Sequence, residues 1–494
     1  MPKYQDVDLK EIAWNTMIKY GFEPDFSKKV LKEIKGIKPD FSDIPPDVMD
    51  LRNLLWSSID NFDSMDLDQI EYCRRNNDGS IHVKVAIADV DYYVPKNSYA
   101  DQHAAYNGTS VYTGAVTFTM LPDKLSKGIT SLLPDQDRLA VVIEYDVQKS
   151  GKVHYGTIYR AIVSNKAKLI YEEIGDWLFG NTPVPESVSK IPGLKEQLLL
   201  QNETAKILKK YRVKKGALLF ETIEAEPVIE NGKVKELAIQ QQNPARSIIE
   251  ELMVAANGTM AVFLGNAGLP IIERVVRIPK NWDGIVLTAA NHGEKLPDTP
   301  NSKKLSEFLI RSKEADPERF PDLSLTIIKL MGPGEYVALK PDKTPIGHFA
   351  LAVSDYTHST APNRRYADLI IQRLLKSALK NGKHAYKYYE LEEKADWLTD
   401  RDALSKKVER FMQKAAAGVL LQDRIGELFD AIVTGASDKG TYVRLKEIPV
   451  EGRVMKGEKG LMVGEKIRVK LLMTDPYKGY IDFEFTGKIR EPDR

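Results

Sequence analysis

Apolar residues near the amino terminus, Ile12, Trp14, Met17 and Ile18 and then Val30, Leu31 and Ile34, recur at helical steps. That spacing predicts two short amphipathic helices. Residues 38–46, with Pro39, Pro45 and Pro46, read as a linker because clustered prolines break helices and favour extended chain. From residue 50 to about 420 the pattern alternates between strand and helix periods. Residues 81–87 alternate at period two and 139–147 are rich in β-branched residues, which predicts strands. Residues 247–264, 366–379 and 388–426 follow the helical period. The tail changes character again: 431–435, 440–445, 466–471 and 480–485 are short alternating segments separated by turn residues. Four or five strands in so short a stretch fit a small closed barrel.

The fold expected is therefore α+β. A helical region with its linker (1–46) precedes a large mixed domain (47–427), and a barrel of the oligonucleotide-binding type (428–494) follows. Composition agrees with a globular chain, at 43% hydrophobic and 29% charged residues. No uninterrupted apolar run approaches the roughly 18 residues that span a bilayer, and the first ten residues lack a signal-like apolar segment. A single cysteine, Cys73, excludes disulfides within the chain and thiolate-rich metal sites. A cytoplasmic location is the economical expectation. The net charge of +1 decides little about nucleic acid, since a strand-engulfing enzyme needs only local positive charge.

Two segments carry chemistry. Asp60, Asp63, Asp66 and Asp68 lie within nine residues, interleaved with Ile59, Phe62, Met65, Leu67 and Ile70. Carboxylates this close raise one another's pKa unless a positive group binds them. Hard oxygen donors without Cys or His suit Mg²⁺ or Mn²⁺, and the EF-hand spacing of a calcium loop is absent. An acidic, solvated turn would read the same way. Far downstream, Pro362, Arg364 and Arg365 precede the 366–379 helix. Backbone N–H groups, the helix dipole and guanidinium donors can converge on one phosphate there. A surface pairing of these arginines with Asp368 is the plainer alternative. Together the two segments supply both halves of phosphodiester hydrolysis, metal activation of water and charge stabilisation at phosphorus.

From about residue 50 to 487 the chain resembles the ribonuclease II and ribonuclease R family. Asp60, Asp66 and Asp68 fall in register with the family's acidic motif, an Asp followed six residues on by Asp-x-Asp-Asp. Segments 87–90, 108–112, 120–126, 131–132, 137–140 and 249–257 follow in the family's order. Residues 360–370 (TAPNRRYADLI) match its Thr-Ser-Pro-Ile-Arg-Arg-Tyr-x-Asp-Leu signature. Two departures stand out: Gln69 replaces the motif's fourth aspartate, and the family's cold-shock domains do not precede the 47–427 block, so a short form is expected.

The resemblance implies a metal-dependent, hydrolytic 3′-to-5′ exoribonuclease acting on single-stranded RNA, with neither a membrane nor an obligate protein partner. It implies that Asp60, Asp66 and Asp68 bind Mg²⁺, or Mn²⁺, with Asp68 the most critical for chemistry and Gln69 a neutral ligand. Arg364 would contact the scissile phosphate and Tyr112 would stack on the terminal base. Phe220, in an expected 215–220 strand, would be a partner clamp. Glu251 would lie near the terminal nucleotide or simply on a helix surface, and Arg365 would contribute to RNA binding. The tail would be an S1-like RNA-binding barrel. Residues 440–470 hold eight Lys or Arg against four Glu, with Tyr442 and Arg444 as RNA contacts. An RNA-binding homologue that cuts poorly because of Gln69 is the alternative reading.

Overall fold

The computed structural model describes residues 7–39, 46–223, 225–230, 233–239, 242–380, 385–437 and 440–489. Residues 40–45 of the expected linker lie outside the described residues. The two amino-terminal helices form over Leu9–Lys19 and Lys28–Lys35, capped by Asp8 and Ser27. Leu9, Ile12, Ala13 and Met17 pack against Val111 and against Val408, Met412 and Ala415 of the long carboxy-terminal helix.

A mixed seven-stranded sheet forms the centre. We label its first strands β1 (Val48–Asp50), β2 (Ser57–Asp60), β3 (Gln69–Arg75) and β4 (Ile81–Ala88). Across the sheet the order is β1, Val153–Ser164, Asp137–Val147, β4, β3, β2 and Ala167–Ile170. The outermost pairs at both edges are parallel and the inner ones antiparallel. Alternation in β4 follows from its sequence: Val83, Val85 and Ile87 are fully buried while His82 and Lys84 stay half-buried.

The Pro244–Asn266 helix covers one face of the sheet. Asn243 caps it, its side chain accepting from the Arg246 N–H, and Pro244 opens its first turn. Among the described residues this is the one helix long and apolar enough to cross a membrane. Most of that apolar stretch is buried inside the protein, so core packing accounts for its composition.

Helices Trp282–Asn291, Ser302–Ala315 and Phe320–Met331 pack around Phe308, Leu309 and Ile327 as a satellite core. The helix Tyr388–Leu421 has 34 residues, about 50 Å at 1.5 Å per residue. It runs from the central core to the terminal barrel, against whose hydrophobic core its Ala417 and Leu421 pack. That barrel closes in the order Leu428–Ser437, Gly440–Leu445, Glu451–Lys456, Tyr480–Lys488 and Lys466–Asp475. Gly108 ends the Tyr99–Asn107 helix at φ 73°, and a Cβ there would meet Arg401 Cβ at 2.9 Å. Only glycine fits that turn, which directs the chain toward Tyr112.

Candidate active site

Three segments distant in sequence meet at the carboxyl end of β2 and the start of β3. The first is the 61–68 loop between these strands. Asp60 turns back on this loop, its Oδ1 accepting from Asn61 N at 2.7 Å and Ser64 Oγ at 2.8 Å. Lys168 Nζ donates to the carbonyls of Phe62 (2.8 Å) and Ser64 (2.5 Å), and Ser131 Oγ bridges Met65 O and Leu67 N. The loop is thus pinned along its whole length. The second segment, 108–112, ends in a short hairpin whose half-exposed Tyr112 donates its hydroxyl to Asp66 at 3.1 Å.

The 360–368 turn is the third. Ser110 N and Thr109 Oγ1 both donate to the Arg364 carbonyl, at 2.9 and 3.0 Å, tying the second and third segments together. Asn363 N–H donates to Asp68 Oδ1 at 2.9 Å, while Thr130 Oγ1 holds the Asn363 side chain. The group held by this helix-entry turn is therefore the protein's own Asp68 carboxyl.

Asp68 is the electrostatic centre. Its side chain is 2% exposed, and its Oδ2 has no hydrogen-bond partner but lies 3.7 Å from Arg364 Nε. Burial, only partly offset by Arg364 and the Asn363 N–H, pushes its carboxyl up to about 8. Asp60 is raised for the same reason, with Asp66 adding repulsion and Arg364 opposing it. Arg364 itself remains 43% exposed and free to meet a ligand.

A pH dependence follows. A carboxyl raised in the folded state stabilises the fold below its unfolded pKa, and this contribution is lost as pH rises through the folded value. Metal-free protein should lose thermal stability between about pH 4 and 8, and Asp68→Asn should flatten that decline. Melting temperatures in EDTA across this range check it; an unchanged slope in the variant contradicts the assignment.

Among the described residues no three His, Cys, Asp or Glu side chains are gathered tightly enough to ligate one ion; here Asp60 faces its own turn and Asp66 faces Tyr112. The donor chemistry nevertheless suits a hard divalent cation. Every donor is oxygen, and Asp68 Oδ2 is a buried carboxylate oxygen lacking a partner.

The model of the RNB domain matches residues 48–381. This chain belongs to the RNB family. The model of the RNase II-type exonuclease C-terminal S1 domain matches residues 427–486, over the closed barrel. Among curated relatives, ribonuclease R of Aquifex aeolicus is 29% identical over 98% of this chain and 71% of its own length. Ribonuclease R of Thermotoga maritima is 30% identical over 88% of this chain and 64% of its own. The apo form of Mycoplasma genitalium RNase R superposes with a TM-score of 0.86 at 24% identity, covering 97% of this chain and 78% of that one. The same protein in complex with ribose-methylated single-stranded RNA gives a TM-score of 0.86 at 23% identity, over the same shares of both chains. These likenesses show the fold.

The remaining expected residues divide. Gln69, half-buried, opens β3 opposite Ile87 of β4. Arg365, expected at the RNA, forks onto Asp368 (2.9 and 2.7 Å), and the Ala361 N–H donates to the same carboxylate. It braces the turn that presents Arg364. Glu251, expected near the terminal nucleotide or on a helix surface, is 1% exposed and pairs with Arg212 at 2.8 and 2.6 Å. That pair joins the Leu194–Lys215 and Pro244–Asn266 helices. Phe220 is not in a strand: Lys215 ends a helix, and Phe220 follows in irregular chain packed on the satellite core. Arg444, expected at the RNA, pairs with Asp322 at 3.1 Å and so docks the barrel on the Phe320–Met331 helix. Tyr442 stands beside Gly435 on the neighbouring strand.

Asn363, Lys168 and Ser131 were not singled out from the sequence for the roles they play here. Only the position of Asn363 between Pro362 and Arg364 hinted at one.

Proposed function

We propose that this protein is a hydrolytic 3′-to-5′ exoribonuclease that shortens single-stranded RNA and releases nucleoside 5′-monophosphates. The observation that carries this reading is the meeting of Asp68, Asp66, Tyr112 and Arg364, drawn from three segments, in one partly open site. The names of the relatives support it, and Asp60, Asp66 and Asp68, with Gln69 as a neutral donor, are the groups to hold the metal. When bound, Mg²⁺ or Mn²⁺ supplies Lewis acidity toward a phosphate oxygen and a more acidic water.

This chain's residues do the rest. Arg364 points its half-exposed guanidinium toward the same space as Asp68 and stabilises charge on the phosphoryl group. Asn363 N–H and Thr130 fix the Asp68 carboxylate, so its position costs no reorganisation during reaction. Tyr112 offers a ring face to a terminal base, a contact worth about 1–3 kcal/mol and tolerant of sequence. Exposed Lys456, Lys459 and Lys470 on the barrel attract the phosphate backbone upstream.

Incubation with labelled single-stranded RNA and Mg²⁺ or Mn²⁺ should give nucleoside 5′-monophosphates, and EDTA should stop their release. Phosphate-dependent release of nucleoside diphosphates, or cleavage that survives EDTA, contradicts the proposal. Tight RNA binding without cleavage would favour the binding-homologue reading raised by Gln69.

A further inference from the structure

Three consecutive residues, Thr130, Ser131 and Leu132, hold both halves of the site. Ser131 Oγ donates to the Met65 carbonyl at 2.6 Å and accepts from Leu67 N at 2.9 Å, while Leu132 N donates to the Leu67 carbonyl at 2.9 Å. Both backbone groups of the residue before Asp68 are therefore fixed by this one strap. Thr130 Oγ1 donates to Asn363 Oδ1 at 2.6 Å, and Asn363 is the residue before Arg364. The strap thus grips the immediate neighbour of each group.

The strap is itself held by a buried cation. Arg138, on the strand Asp137–Val147, is 7% exposed. Its Nε donates to the Ser131 carbonyl and its Nη2 to the Gly128 carbonyl, both at 2.9 Å, so the guanidinium forks across the turn that opens the strap. Nη1 donates to the Asp137 carbonyl at 2.9 Å, and Nη2 also reaches Gln136 Oε1. Among the described residues its partners are carbonyl oxygens, with no carboxylate among them. Burying an ion without a counter-charge costs several kcal/mol, and an apolar side chain would fill the space without that cost. What the guanidinium alone supplies is a planar, rigid set of donors. We propose that Arg138 is a positioning residue for cleavage: it locks the 128–132 strap, and the strap sets the spacing of Asp68 and Arg364. The inference rests on the proposed exoribonuclease function.

Arg138→Lys keeps the charge but loses the fork. Single-turnover cleavage of labelled single-stranded RNA should slow by about 10- to 100-fold, the scale on which displacing reacting groups by about 1 Å acts. Equilibrium RNA affinity should be retained. Amide hydrogen exchange, read by mass spectrometry without reference to activity, should rise in 61–68 and 360–366 together. Positioning also couples to Arg364 where a role in stability alone does not: in an Arg364→Ala background the same substitution should slow cleavage by only about threefold or less. Ser131→Ala, which removes one hydroxyl from the strap, should show the same pattern and serves if Arg138→Lys does not fold. Unchanged cleavage, full slowing in the Arg364→Ala background, or exchange that rises only within 126–132 overturns the inference. If the parent does not cleave RNA, the functional reading fails, and joint exchange in the two segments still assigns the strap to Arg138.

Discussion

Asp68→Asn should lower the rate of RNA cleavage by about 10⁴-fold, the scale on which replacing a buried catalytic carboxylate by its amide acts when geometry is kept. The amide keeps the shape of the carboxylate and can still accept the Asn363 N–H, but it cannot present an anionic oxygen to a metal. The loss should fall on chemistry alone. RNA affinity is expected to rest on stacking and backbone contacts spread along the protein and its barrel. The fold should also survive. Asp68 Oδ2 has no hydrogen bond to lose, and removing a buried charge relieves a desolvation cost. Equilibrium binding of a fluorescent RNA beside single-turnover cleavage measures both quantities. A parallel loss of affinity and rate would make Asp68 a structural residue.

Arg364→Ala should slow cleavage by about 10³-fold, the lower range for an arginine that stabilises transferring phosphoryl charge. Arg364 is 43% exposed and meets Asp68 only at 3.7 Å, so the loss of this contact should leave stability almost unchanged. Arg365→Ala should behave oppositely. Its guanidinium is forked on the fully buried Asp368, and breaking such a pair costs about 3–5 kcal/mol. Urea denaturation and kcat measured on both variants distinguish presenting arginine from bracing arginine. Similar stability losses in the two would contradict the division of roles.

The sequence pattern revealed elements where local period and burial agree. The 366–379 helix was legible to the residue, because Leu369, Ile370, Leu374 and Leu375 are fully buried at helical steps. The 388–426 segment follows one period but ends as a helix at Leu421, with a short 3-10 turn over Gln422–Arg424. The barrel strand Glu451–Lys456 was not among the four segments picked out, because only Gly452 and Val454 face inward there.

In the site, Asp68 and Arg364 were legible as a pair of motifs. What pattern could not reveal is which of two adjacent arginines keeps an exposed guanidinium. That depends on Asp368, which lies three residues beyond Arg365 and claims it from within the first helical turn. The pairings of Glu251 and Arg444 were not legible for a related reason. Each is consumed by a partner remote in sequence, Arg212 and Asp322, and such pairings have no local signature.

The central claim is that this cluster removes nucleotides one after another from an RNA 3′ end. The most direct measurement is a time course on single-stranded RNA labelled at its 5′ end, with the parent protein and Asp68→Asn side by side in Mg²⁺ or Mn²⁺. The parent should shorten the strand progressively from its unlabelled end while Asp68→Asn leaves it bound and intact. Immediate release of label from the 5′ end, internal cuts, or equal degradation by the variant would contradict it.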